Sequence, residues 1–194
     1  TLARLLAGRG GIATLLQCDL AAGSARQAGS TGPAFVADEE LLPLGAESLD
    51  LILSNLALHW VNDLPGALAQ IRAALKPDGL FLASMFGAGT LAELRSCLME
   101  AELAETGGAS PRVSPFAGLR DAAGLLQRAG FALPVADSDI ITVTYPDLFR
   151  LLADLRGMGE TNLLLERLRH PTRRAVFARA AALYQERFAE PDGR

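Results

Sequence analysis

Two carboxylates, Asp19 and Asp38, each close a short apolar run with strand character, residues 12–18 (IATLLQC) and residues 34–37 (AFVA). In an open parallel sheet, ligands sit beyond the carboxyl ends of the strands, near the point where strand order reverses. An acid placed there can accept hydrogen bonds from both hydroxyls of a ribose. A second acid one strand over can take the exocyclic amine of an adenine. Solvated loop acids occur in the same places, so the pair admits nucleoside chemistry without demanding it. His59 titrates in a range suited to acid–base work, yet a His before Trp60 at a strand–helix junction serves equally well in packing. Trp60 is the only tryptophan; it fits either a core position or a ring that stacks on a ligand. Arg156, Glu160 and Asn162 surround Gly157 and Gly159 at a helix end, where capping and solvated charge would explain them. Cys18 and Cys97 read as small buried hydrophobes.

The elements that must position these groups alternate between strand-like and helical periods, which predicts βα units on a mostly parallel sheet. Residues 1–7 read as the tail of a helix stopped by Gly8, Gly10 and Gly11, so the N-terminus is expected to be truncated or processed. After the first strand, residues 21–33 allow a short helix before a turn at Gly32-Pro33. Residues 49–54 (LDLILS) form a strand expected to be covered on both faces. Asn62 and Asp63 can cap a helix carrying Leu64, Leu68, Ile71 and Leu75 on one stripe. Pro77-Asp78-Gly79 turns it into a strand over residues 80–86.

The second half is more helical. Thr90 and Glu93 have the spacing of a capping box for a helix to about residue 104. Residues 106–117 (TGGASPRVSPFA) form a loop long enough to be a lid. A short helix ends at Gly130, and an extended stretch follows over residues 131–144. Further helices are predicted from Pro146 to Arg156 and from Pro171 to about Phe188.

Composition narrows the function classes. The 194 residues suit one α/β domain. Eighteen basic residues, of which only Lys76 is a lysine, stand against twenty-two acidic ones, for a formal charge of −4. That balance argues against nucleic acid or an anionic membrane as the main partner. Two cysteines, two histidines and no CxxC make a structural zinc or a disulfide scaffold a poor reading. No apolar run approaches the ~18 residues that span a bilayer, and a reducing compartment is the default.

The segment Gly8-Arg9-Gly10-Gly11-Ile12-Ala13 satisfies G-x-G-x-x-A but is not a nucleotide loop. A helix precedes it and a strand follows, the reverse of what a phosphate loop needs, and Asp19 lies only nine residues beyond Gly10 where ~20 are expected. A glycine-rich cofactor loop, if the protein has one, is expected upstream of Thr1.

Taken in order, Asp19, ADEELLP (37–43), LDLILSN (49–55) and LKPDG (75–79) resemble a class I S-adenosylmethionine-dependent methyltransferase of the type 11-like group. The segments SNLALHWVNDL (54–64) and LRGMGETN (155–162) are more specific. They are similar to two groups, the malonyl-acyl-carrier-protein methyltransferases of biotin synthesis and the methyltransferase-fold assembly factors of respiratory complex I. Agreement with the second is closer.

The resemblance implies a Rossmann-like single domain over residues 1–194. A cofactor-binding core would span residues 1–86, and a helical cap residues 87–117 and 146–189. It implies S-adenosylmethionine held by Asp19 at the ribose, by Asp38 with Glu39 beside the adenine, and by Asn55 and Trp60 near the methionyl end. His59 is the candidate base for a hydroxyl or amine acceptor; a carboxylate acceptor needs none. Arg156, Glu160 and Asn162 would face a substrate, with Arg156 able to hold a carboxylate through paired donors. In-line transfer from a sulfonium needs alignment and a dry pocket, and no metal.

The implied activity is methylation of a small carboxylate or of a protein side chain. The alternative is an assembly factor that hydroxylates an arginine of a respiratory-complex subunit, or binds it without catalysis. Localisation would be cytoplasmic in a bacterium and on the matrix side of a mitochondrion. The family's first strand and its final strand, which would follow Asp192-Gly193-Arg194, are missing from the pattern.

Overall fold

The structure is a computed structural model that describes residues 2–162, 164 and 166–189. Thr1 and Asp192-Gly193-Arg194 lie outside the described residues. In chain order the elements are α1 (Leu2–Leu6), β1 (Gln17–Asp19), α2 (Ala22–Ala28), β2 (Ala34–Val36), β3 (Leu49–Asn55), a 3-10 turn (Leu58–Trp60), α3 (Leu64–Ala74), β4 (Leu75–Ser84), α4 (Ala92–Thr106), α5 (Leu119–Arg128), α6 (Leu148–Met158) and α7 (Arg174–Phe188). They fall into two compact units, Thr1–Phe86 with Leu119–Asp137, and Gly87–Gly118 with Ser138–Arg194.

The first unit repeats a strand–helix–strand pattern. β1 and β2 run parallel with Asp19 opposite Val36, and β3 and β4 run parallel from Leu51 opposite Leu80 to Asn55 opposite Ser84. The parallel, helix-flanked arrangement agrees with the expected fold class. Among the described residues it forms two separate two-stranded sheets. The first strand is shorter than its apolar run predicts, because a ladder is no longer than the partner it pairs with and β2 offers only three residues.

Between β3 and β4 the sequence reads its own structure. The Oδ1 of Asp63 accepts from the Gly66 N–H at 3.0 Å and caps α3. A Cβ on Gly66 would collide with that carboxylate. Of the predicted stripe, Leu68 and Ile71 are buried beside Leu58 with Leu64 half-buried against them, while Leu75, also buried, opens β4 instead of continuing the helix. Leu125 and Leu126 of α5 pack on this cluster, and Phe131 stacks on Phe81 at 5.5 Å between ring centroids. The Pro77-Asp78-Gly79 turn is absorbed as an irregularity inside β4, with Asp78 at φ +62°, and β4 ends at Ser84 rather than at Phe86. The expectation that β3 is covered on both faces fails at Leu51, which is 41% exposed.

The second unit is helical. Leu94, Cys97, Leu98 and Ala101 of α4 bury against Leu148 and Leu151 of α6 and Val176 and Ala180 of α7. A forked ion pair between Arg187 and Glu100, both bonds 2.8 Å, adds a tie between α7 and α4. Two sequence expectations are corrected here. The capping box is not made: α4 starts at Ala92 behind Leu91, in the left-handed region at φ +56°, with no side-chain cap. The Thr90 N–H instead closes a turn on the Gly87 carbonyl. Gly157 does not break α6, which runs on to Gly159 at φ +86°, where a residue without Cβ ends a helix at no steric cost. The extended stretch over residues 131–144 forms no strand, and its Leu133, Val135, Ile140 and Ile141 are almost fully exposed. No helix among the described residues is long and apolar enough to cross a membrane.

Candidate functional site

The carboxyl ends of β1 and β2 carry the acids. Asp19 ends β1, and its Oδ1 accepts from the Ala21 N–H at 2.8 Å, which fixes the carboxylate and leaves its second oxygen for a ligand. Asp38 follows β2 in the same way, its Oδ1 accepting from the Glu40 N–H at 2.8 Å. Cys18, expected to be buried, is exposed; partial desolvation first, and then the charges of Glu39 and Asp19, raise its thiol above the ordinary pKa. Two carboxylates thus press on one group at this end of the β1–β2 pair.

Asn55 ends β3, opposite Ser84, and its Oδ1 accepts from the Ser84 hydroxyl at 2.9 Å. This holds the Asn55 amide, with its NH2 group left to donate. The backbone then turns through Leu56 at φ +52°, an uncommon conformation for a residue with a Cβ. The 3-10 turn follows. Its Leu58 is buried in the core cluster, which anchors the two rings behind it. The His59 ring lies 5.2 Å from that of Trp60 and 4.7 Å from that of Phe86, tilted to both. Trp60 is 36% exposed, so it is a partly open ring and not a core one.

One contact joins these two loops, and the sequence did not single out its donor of charge. Oε1 of Glu40 accepts from the backbone N–H of Asn62 at 2.6 Å and from the Asn62 amide at 2.9 Å. It also reaches the Asp63 N–H at 3.4 Å. These bonds, the Asn62 backbone one first, hold the Glu40 carboxyl below the usual carboxylate range. The loops after β2 and after β3 therefore meet, and Asp38 and the His59–Trp60 turn lie on the two sides of that junction. A signal existed: a helix N-terminus at Asn62-Asp63 has orphan N–H groups that attract an acid. No local rule says which acid, 22 residues away, will supply it.

Arg156, Glu160 and Asn162 belong to the second unit. Arg156 is exposed on α6. The Glu160 N–H closes onto the Leu155 carbonyl at 2.8 Å. The Asn162 amide donates to the Pro111 carbonyl at 2.8 Å while its Oδ1 accepts from the Leu164 N–H at 3.1 Å, which ties it to the loop over residues 106–117. That loop is tied elsewhere as well. Glu102, 3% exposed, accepts from the Ser110 N–H at 2.8 Å and from Arg112 Nε at 3.1 Å and Nη2 at 2.5 Å. Arg112 Nη1 donates onward to the Thr172 hydroxyl at 2.7 Å. Arg95 Nη2 donates to the Ser114 carbonyl at 3.3 Å.

The family described as "Methyltransferase domain" matches residues 1–83. The human mitochondrial arginine-hydroxylase NDUFAF5 is 45% identical over 185 residues, which are 94% of this chain and 53% of that protein. A malonyl-[acyl-carrier protein] O-methyltransferase from Xylella fastidiosa is 43% identical over 148 residues, 76% of this chain and 48% of its own. The chain spans about half the length of the curated relatives it matches. Among solved structures, a Haloferax volcanii methyltransferase in complex with the Trm112 methyltransferase activator superposes with a TM-score of 0.50 at 20% identity. It covers 66% of this chain and 54% of its own, and shows the fold alone.

Proposed function

We propose that this chain is a class I S-adenosylmethionine-dependent methyltransferase, a reading supported by its similarity to that family, and that the carboxyl ends of β1, β2 and β3 form an S-adenosylmethionine site for methyl transfer. The observation that carries the reading is the junction at Glu40, which puts the Asp38 loop against the His59–Trp60 turn. The donor set suits the cofactor. Asp19 and Asp38 each keep one carboxylate oxygen beyond their backbone bonds, for the ribose hydroxyls and the adenine amine, with Glu39 beside Asp38. The Asn55 NH2 can donate to the methionyl carboxylate, and the half-open Trp60 ring can shield the adjoining face. When bound, the cofactor supplies a methyl group activated on a sulfonium. The protein's part is to align the acceptor and exclude water. His59 is the group that would take a proton from a hydroxyl or amine acceptor. Arg156, Glu160 and Asn162 are proposed to contribute to acceptor binding.

Asp19→Ala is expected to weaken S-adenosylmethionine binding by about 1–3 kcal/mol, the worth of charge-assisted hydrogen bonds lost from an ordered site. Calorimetric titration measures it, and an unchanged affinity removes the ribose assignment. The titration is to be run on this chain and on one extended at its N-terminus by the segment preceding the match in a relative. Binding by neither form removes the cofactor reading itself. Because Trp60 is the only tryptophan, its emission reports on one place. It is expected to change on saturation with cofactor, and a flat signal returns Trp60 to a packing role.

The acceptor class rests on the two kinds of relative, a small acyl carboxylate or a protein side chain. The similarity to an arginine-hydroxylase supports a second reading, modification of an arginine in a protein partner, a subunit of respiratory complex I, in the mitochondrial matrix or, in a bacterium, the cytoplasm. Mass spectrometry of the acceptor separates the two, since one product gains a methylene and the other an oxygen.

A further inference from the structure

We infer that Glu40 is a positioning residue, which with Gln70 clamps the Asp38 loop to the His59–Trp60 turn and so sets the geometry of the proposed cofactor site. The inference rests on that site reading and extends it to groups outside the proposed ligand contacts.

The clamp has two arms. In the first, the Glu40 carboxylate collects the N–H of Asn62, the Asn62 amide and the N–H of Asp63 on a single oxygen. These donors lie at the N-terminus of α3, where a negative charge is favoured by the helix dipole as well. In the second, Gln70, about two turns further along α3, uses both ends of its amide. Its Nε2 donates to the Glu40 carbonyl at 2.8 Å and its Oε1 accepts from the Leu42 N–H at 3.0 Å. The turn from Glu40 to Leu42, whose Leu41 bridges back to Asp38, is thus held by side chains. The backbone of Glu40 is also the partner of Asp38. One residue therefore fixes the direction of the Asp38 carboxylate through its N–H and the start of α3 through its side chain. The 3-10 turn with His59 and Trp60 ends one residue before Val61, next to Asn62, so any slack at Asn62 passes directly into Trp60.

The test compares the parent chain with Glu40→Ala, Glu40→Gln and Gln70→Leu, using Trp60 fluorescence without ligand and calorimetry with S-adenosylmethionine. Glu40→Ala is expected to raise acrylamide quenching of Trp60 and to weaken cofactor binding about tenfold, the loss of one charge-assisted hydrogen bond, with the far-UV spectrum unchanged. Glu40→Gln keeps an oxygen acceptor at the same place and is expected to restore quenching and most of the affinity, a rescue that general destabilisation would not give. If Glu40→Ala fails to fold, Gln70→Leu carries the test, with the same rise in quenching expected. Unchanged quenching in the folded variants overturns the clamp. A parent chain that binds no cofactor overturns the site reading instead, and with it the clamp's purpose, while the quenching data still report whether the loops are joined.

Discussion

Glu102→Ala is expected to lower the free energy of unfolding by about 3–5 kcal/mol, the range for removing one partner of a buried ion pair. The Glu102 side chain is 4% exposed and that of Arg112 14%, so the variant would leave the Arg112 Nε and Nη2 and the Ser110 N–H without their acceptor, with only the Thr172 hydroxyl still paired to the guanidinium. Much of the cost is the unpaired charge and not the lost attraction. Glu102→Gln, which keeps the shape and one acceptor, is expected to fall between. Burial alone would raise the Glu102 pKa, but the hydrogen bonds from Arg112 and Ser110 outweigh it and hold the carboxyl below its ordinary value. A depressed folded-state value means the stabilisation is complete above the unfolded pKa and is lost as pH falls through the folded one. Parent and variant should therefore differ most near neutrality and converge in acid, below about pH 4. Urea unfolding at both pH values measures this. A difference under about 1 kcal/mol at neutrality would show that the pair does not hold the loop. Limited proteolysis gives a second readout, since the variant should be cut faster between Gly107 and Gly118.

Leu75→Ala should cost about 2–5 kcal/mol, the range for truncating a leucine in a packed core. Leu75 is 1% exposed and closes the cluster with Leu58, Leu68 and Ile71. Relief by collapse is restricted, because a Cβ on Gly79 would already meet the Leu75 side chain at 3.1 Å and the Lys76 carbonyl at 2.9 Å. The cavity would open beneath Leu58, the anchor of the His59–Trp60 turn. Trp60 emission should accordingly shift in the folded variant, while Leu51→Ala, at a 41% exposed position, should leave both stability and emission close to the parent. Equal losses from the two substitutions would mean that β3 and β4 are buried differently from the arrangement described.

How far the sequence could be read depended on the range of the interaction. Over residues 49–86 the deciding interactions are mostly local, so the pattern placed the elements. Leu64, Leu68 and Ile71 fall on one stripe of α3 and Asp63 caps it three residues ahead, while the irregularity at Pro77-Asp78-Gly79 was taken up inside β4 and not as a separate turn. The residues assigned to the site at strand ends, Asp19, Asp38 and Asn55, were legible for the same reason, since a strand end is a feature of the sequence pattern. The limits of the reading lie where a local signal needed a distant partner. The pattern of residues 131–144 predicts only an extended stretch, and they join no strand ladder among the described residues, since a strand exists only against another edge. Thr90 and Glu93 have the right spacing for a capping box, yet α4 begins at Ala92, because its register follows the burial of Leu94, Cys97 and Leu98.

By itself the sequence determined the parallel strand–helix–strand plan and the acids at its strand ends, because periodicity, turns and caps act over a few residues. Only the tertiary structure decided that Glu40 reaches Asn62, that Gln70 reaches back to Leu42, and that Arg112 joins Glu102 to Thr172. Those pairings are made across 22, 28 and up to 60 positions. No spacing encodes them, since a buried or clamped polar group takes whichever partner the packed elements bring within about 3 Å.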